Sequence, residues 1–303
     1  MTASASRKAV DSTPIFFNEF LKLTLPPIDS LNPDVVASTP GIAHANQSSA
    51  LGPAYTSTPI SEPEPLTAWP EEVRLWSDFQ KNVQEALESL SDNEGFQHIL
   101  APCAFRKGDL PQATLLPSVH LWVIINVWQP MNRVLEMEEE KAVGGYDAKG
   151  HLRSSLFVGD HLPQVAASIE FPIPRQVVFR AAEPPQQSIA ALVLVREPWL
   201  MDLTTLFSKS SGDAGSAQVV LPPKPDSTAL AAALAEILAY MRTAKKRYAV
   251  LTTYTHFVFI RNAGAGSGAF GPIEISEPVS ATDTDVTVYA ALWYWLRLVA
   301  AEK

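Results

Sequence analysis

The chain is poor in cysteine and in charge, and it has no long apolar run. Its one cysteine, Cys103, has no partner for an internal disulfide. The opening stretch MTASASRKAVDSTP carries no apolar core of the kind a secretory signal needs. Both features lead us to expect a reducing, intracellular setting, cytoplasm or nucleus. The most apolar stretches, Leu121 to Val127 and Thr228 to Met241, are too short or are interrupted by Glu236, so no membrane-spanning segment is expected. Charged residues make up 18% of the chain, and 23 basic against 32 acidic residues give a net charge of -9. That balance repels phosphate backbones at long range and disfavours non-specific nucleic-acid binding unless a local basic patch overrides it. We read the acidity as serving solubility rather than a basic partner.

What the chain does have is apolar mass. Across 303 residues, 47% are hydrophobic and seven are tryptophan, enough to bury a sizeable interior. The length suits one α/β domain with an irregular extension. Ten of the 25 prolines fall before residue 71, with Ser, Thr and Ala between them. Residues 1–65 therefore read as a Pro/Ser-rich N-terminal arm, and residues 66–303 as a single domain, helical over 71–140 with its core in 174–303. Within the arm, Phe16, Phe17, Phe20 and Leu23 of IFFNEFLKLTL make one apolar helical stripe, suited to docking on the body. Core-forming periodicity begins near Val73, so removal of residues 1–65 is expected to leave a folded domain.

Val73, Trp76, Phe79, Val83 and Leu87 recur at helical spacing after Pro70 and predict an amphipathic helix over 71–90. A second helix is predicted from about Pro117 to Glu140, broken or kinked at Pro130. Its acidic end, Glu136 to Glu140, reads as a solvated face, because consecutive carboxylates point different ways around a helix. Gln176 to Arg180 and Ile189 to Val195 read as a β-hairpin across the turn-prone AAEPPQQS. A helix over 227–242 follows, with Asp226 or Ser227 as cap. Tyr248 to Tyr254 and His256 to Arg261 then form a strand pair, Ile273 to Ser276 a short strand, and 285–301 a terminal helix with Tyr289, Leu292, Trp293, Leu296 and Val299 inward. The fold class is thus α/β, with a central mixed β-sheet flanked by helices.

Chemical motifs are sparse. The segment Gly264 to Gly271 lacks the lysine and serine of a phosphate loop and leads into a strand, so it reads as a flexible hairpin. The six histidines, His44, His98, His120, His151, His161 and His256, have no zinc-site spacing, and no serine sits in a recognisable nucleophile elbow. Neither a metal site nor a cofactor is expected. The basic run Lys245, Lys246, Arg247 at a helix end complements the helix dipole.

Several pieces carry a resemblance: Pro198-Trp199 after the hairpin, Ala239-Tyr240-Met241 ending a helix, and Tyr248 to Tyr254 (YAVLTTY) before the strand HFVFIRN. In this order, from about Pro174 to Lys303, they resemble a group of uncharacterised fungal proteins with a PD-(D/E)xK nuclease-like, restriction-endonuclease-like domain. The resemblance implies a Pro-Asp at one strand, Glu-x-Lys before the Pro-Trp of the next, and a Gln on the helix before the Tyr-Met. Placed on this chain, Pro174 holds the proline, Arg175 stands at the Asp, Leu194 at the Glu and Arg196 at the Lys. Neither leucine nor guanidinium supplies the hard oxygen ligand that metal-dependent hydrolysis needs. Glu197 is the nearest spare carboxylate, on the opposite strand face. Glu236, at the Gln position, reads as a helix-surface residue.

The expectation is therefore a catalytically degenerate pseudo-nuclease, not an enzyme, acting as a protein-binding or scaffold module with another protein as partner. Arg175, Arg196 and Trp199 are the candidate anion pocket, with the simpler reading that each arginine pairs with an acid such as Glu197 or Glu183. Two alternatives stand beside it: a Mg-dependent nuclease with displaced carboxylates, and a non-cleaving nucleic-acid or nucleotide binder.

Overall fold

The computed structural model describes residues 14–15, 17–28, 73–90, 99–100, 116–143, 156–160, 176–181, 187–209, 217–219, 229–264 and 271–302. Its centre is a mixed sheet that runs in the order β2-β11-β10-β9-β6-β5-β4, with β12 paired to β10. In chain order these strands are β2 (Val73–Leu75), β4 (Leu156–Asp160), β5 (Gln176–Ala181), β6 (Gln187–Val195), β9 (Tyr248–Thr252), β10 (His256–Asn262), β11 (Ile273–Ile275) and β12 (Val279–Ser280). Two small pairs lie outside it, β1 (Pro14–Ile15) with β3 (Ile99–Leu100) and β7 (Phe207–Lys209) with β8 (Ala217–Val219).

Strands β4, β5 and β6 form an antiparallel meander. The chain then crosses through helix α5 (Ala229–Thr243) and returns as β9, parallel to β6 with Leu194 opposite Leu251. A parallel neighbour requires such a crossover, and α5 packs on β6 and β9. β10 runs back antiparallel to β9. The predicted sheet and hairpin are present, with β4 as a strand that the sequence reading did not include.

Side-chain alternation splits the interior into two cores. Val193, Val195, Val250, Phe257 and Phe259 face one side, and Leu192, Leu194, Leu251, Val258 and Ile260 face the other. The second core is closed by α5 through Leu230, Leu234, Ile237, Leu238 and Met241. The first is closed by α2 (Phe79–Leu90), α3 (Leu116–Val123), a π-helical stretch Ile124–Trp128, α4 (Gln129–Val143) and α6 (Val288–Ala301). Thr287 starts α6, its hydroxyl accepting from the Ala290 N–H at 3.2 Å.

Three expectations need correction. The predicted 71–90 helix is split: Val73–Leu75 is a strand parallel to β11, and the helix begins at Phe79. Helical spacing could not reveal this, because Val73 and Leu75 are held by a partner about two hundred residues away in sequence. Pro130, expected to break or kink the second helix, distorts it without breaking it. The five residues Ile124–Trp128 just before it widen into a π-turn, with the Gln129 N–H bonded to Ile124 O, and α4 continues.

The third correction concerns the arm. Helix α1 spans only Phe17–Phe20, and the buried residues are Phe17, Phe20, Leu21 and Leu25, while Leu23 is exposed. Phe17 meets Trp293 edge-on and Phe20 lies against Tyr289, with ring centroids 5.9 and 4.6 Å apart. The Leu25 N–H donates to Ala281 O at 2.9 Å, and the Thr287 hydroxyl donates to Leu21 O. The segment is part of the first core. The stripe docks on its own domain, as expected, but core residues begin before Val73, so removing residues 1–65 removes Phe17, Phe20, Leu21 and Leu25 from the first core. The acids Glu138 to Glu140, the caps Asp226 and Ser227, and Cys103 lie outside the residues whose side chains are described.

The glycine-rich segment joins β10 and β11, which pair antiparallel. Asn262 closes it, its Oδ1 accepting from the N–H of Gly264 and of Gly271, each at 3.0 Å. A Cβ on Gly271 would come within 2.4 Å of Gly264 Cα, so only glycine fits this close approach.

Candidate functional site

Of the positions singled out by the resemblance, Leu194 and Arg196 fall at the C-terminal end of β6, which runs parallel to β9. The Arg196 N–H donates to Thr252 O at 2.8 Å and so extends the β6–β9 ladder by one residue. That bond fixes the direction of the residues beyond it. Leu194 points into the second core and is 4% exposed. Arg196 emerges on the same side of the sheet, towards α5.

There the guanidinium meets Glu236, whose Oε2 accepts from Arg196 Nη2. The other terminal nitrogen, Nη1, donates to Val195 O at 3.0 Å. Tyr240, one helical turn on, donates its hydroxyl to Glu236 Oε1 at 3.1 Å. Both carboxylate oxygens of Glu236 are thus engaged, one by a cation and one by a phenol. Burial, then the Glu236 charge, pushes the Tyr240 hydroxyl well above the usual phenol range. Tyr240 therefore stays protonated and donating.

Glu197, the residue after Arg196, is buried, 7% exposed. Burial raises its carboxyl above the ordinary range, against a lowering by its own backbone N–H and by the Arg196 charge. Trp199 follows in the turn and packs on the first core, with its indole N–H buried and unbonded. On the β5 side, Gln176 is wholly buried, and its Oε1 accepts from Trp128 Nε1 at 2.8 Å.

Of the candidate anion pocket, two members are described, and the structure does not bring those two together. Arg196 and Trp199 lie on opposite faces of the sheet, and the charge of Arg196 is met by Glu236 rather than by Glu197. Arg175, Pro174 and Glu183 lie outside the described residues. Glu236, read from the sequence as a helix-surface residue, is partly exposed on α5 and is also the acid of a partly buried triad. The signal was present: Glu236 and Tyr240 are spaced i, i+4 and share one helix face. What the sequence could not give was the opposing strand position, since Arg196 lies 40 residues earlier.

Chemically, the arrangement is an internally neutralised cation and acid with a phenol attached. No group of three His, Cys, Asp or Glu side chains suited to a metal ion occurs among the described residues. Compared with family models, with curated proteins and with solved structures, the chain matches none of them.

Proposed function

We propose that this chain is a nuclease-like domain that has lost its chemistry and serves as a protein-binding or scaffold module. The observation that carries this reading is the Arg196–Glu236–Tyr240 triad beside a buried Leu194. At the place where a hydrolytic metal would need converging oxygens, a leucine fills the core and the neighbouring acid is bound to a guanidinium. Supporting the nuclease-like part is the order of elements: hairpin, Pro-Trp turn, crossover helix, parallel strand, antiparallel strand, short strand and terminal helix. That is the order on which the resemblance rests.

The rival reading of a nuclease with displaced carboxylates would use Glu236, the acid that meets Arg196. Breaking its pairing with Arg196 would leave a partly buried charge unmatched, which opposes metal capture. A non-cleaving nucleic-acid binder is opposed by the net charge of -9.

The test is incubation of the full chain with Mg²⁺ or Mn²⁺ and a panel of single- and double-stranded DNA and RNA. No cleavage above the buffer control is expected. Metal-dependent cleavage by wild type that disappears in Glu236→Gln would overturn the proposal.

A further inference from the structure

Several cations on this protein have an acid beside them. Arg196 pairs with Glu236, Arg261 with Glu274, Arg133 with Glu136 and Lys81 with Glu85. At the opposite end of the sheet from Arg196 the pattern changes. Arg180, opposite Ser188 on β6, and Lys246 and Arg247, just before β9, come together there. Among the described residues no carboxylate lies within ion-pair distance of these three.

Backbone geometry holds them in place. Helix α5 ends in a left-handed residue, Lys245 at φ 52°, and the Lys246 N–H donates back to Met241 O at 2.8 Å. Arg247 O accepts from Asn262 N at 2.8 Å, and its guanidinium sits 5.5 Å from the Tyr248 ring centroid. Arg180 Nη2 donates to Val299 O at 2.6 Å and also to Glu302 O, at the end of α6. The remaining guanidinium donors of Arg180 have no partner among these bonds.

The charges here do not cancel. Glu302 feels all three cations, yet burial still holds its carboxyl above the ordinary range. Lys246 is pushed below the usual lysine range by burial, with Glu302 opposing and Arg180 adding to the effect. Three cations against one carboxylate and the roughly half-charges of two helix C-termini, those of α5 and α6, leave a surplus of about one positive charge. In a chain of net charge -9 such a surplus is a local exception. Helix-dipole complementarity, the reading of Lys245 to Arg247 from sequence, uses only part of it.

We propose that Arg180, Lys246 and Arg247 form an anion site that docks a short segment of a partner protein rich in Asp and Glu. The inference builds on the binding-module reading and supplies the chemistry of its partner. A short acidic segment fits better than a nucleic acid, because charge effects fade within about 8 Å at physiological salt. A few carboxylates would feel the patch alone, whereas a long polyanion would also meet the acidic remainder of the surface. Glu302 already places one carboxylate at this end of the sheet.

The experiment is fluorescence anisotropy of a labelled Glu- and Asp-rich peptide with the full chain, at about 50 mM and about 300 mM salt, since charge-driven binding must weaken as salt rises. The expected result is binding at low salt, weakened by salt and reduced at least about tenfold in the double variant Lys246→Gln, Arg247→Gln. Both sites are partly or fully exposed, so this variant keeps the fold, to be checked by an unchanged melt. Arg180→Lys, which retains the charge, should bind nearly as wild type. Equal binding by the double variant, or no binding at low salt, overturns the site. Tighter binding of a phosphopeptide or an oligonucleotide of equal length overturns the assigned partner. Metal-dependent nucleic-acid cleavage would sink the binding-module reading without touching the anion site, so the two failures are distinguishable.

Discussion

The hydroxyl of Tyr289 donates to the backbone carbonyl of Asn126 over 2.5 Å, across 163 residues of sequence. In a regular helix that carbonyl would accept from the N–H of residue 130, which is a proline and has none. The π-turn Ile124–Trp128 makes room for the proline ring, and α6 supplies the missing donor. Burial raises the Tyr289 hydroxyl above the usual phenol range, so the donor is not lost by ionisation.

Tyr289→Phe should therefore destabilise the protein by about 1 to 3 kcal/mol, the cost of an unsatisfied buried carbonyl. Urea unfolding would measure it. Pro130→Ala restores a backbone N–H, so in that background Tyr289→Phe should cost less, a non-additivity that a merely packed tyrosine would not show.

Much of the sheet was legible in sequence because its strands are apolar runs bounded by turn residues. Tyr248–Thr252 and His256–Asn262 fall where YAVLTTY and HFVFIRN place them. The misses share a cause. β2, at Val73–Leu75, sits inside a helical period and is set by its pairing with β11. β4 carries Gly159 in mid-strand, a residue that weakens a strand pattern, and is held by β5 and by Asn132, which bonds both Val158 N and Val158 O. At the site, Arg196 was found from the resemblance, but its pairing with Glu236 and Tyr240 is a contact between a strand end and a crossover helix. Spacing along one element cannot encode it.

Phe20→Ala should cost about 3 to 5 kcal/mol, the range for a fully buried aromatic. A loss of that size in a short segment near the N-terminus would show as a lower melting temperature of the full chain. Deleting residues 1–28 should go further and abolish the cooperative melt. A truncated protein that melts as sharply as wild type would show that the segment merely rests on the first core.

At the candidate site the expectation is coupling rather than large single effects. The side chains of Arg196 and Glu236 are 22% and 29% exposed, so solvent screens the pair in part. A double-mutant cycle with Arg196→Met and Glu236→Gln should give a coupling of about 1 kcal/mol. Methionine keeps the apolar stem of the arginine, so lost packing does not pass for lost charge. A coupling near zero would mean that the two groups do not hold each other, and Glu236 would then be available as a ligand.

Glu197 gives the pH dependence a definite sign. Burial raises its folded-state pKa above the ordinary carboxylate value, although its own backbone N–H and the Arg196 charge pull the other way. In the window between the unfolded and folded values the native state binds more protons than the unfolded state. Stability must then fall as pH rises through that window, the reverse of the usual effect of an ion-paired carboxylate. Above it, at neutral pH, the ionised form carries the full penalty of its desolvation. Glu197→Gln removes the charge and keeps the shape, so it should stabilise the protein at about pH 7 and flatten this part of the stability profile. Denaturant unfolding at a series of pH values from about 4 to about 8 would follow both. A Gln variant less stable than wild type at neutral pH, with the slope unchanged, would show that the carboxylate is held ionised by a partner and that burial does not govern its titration.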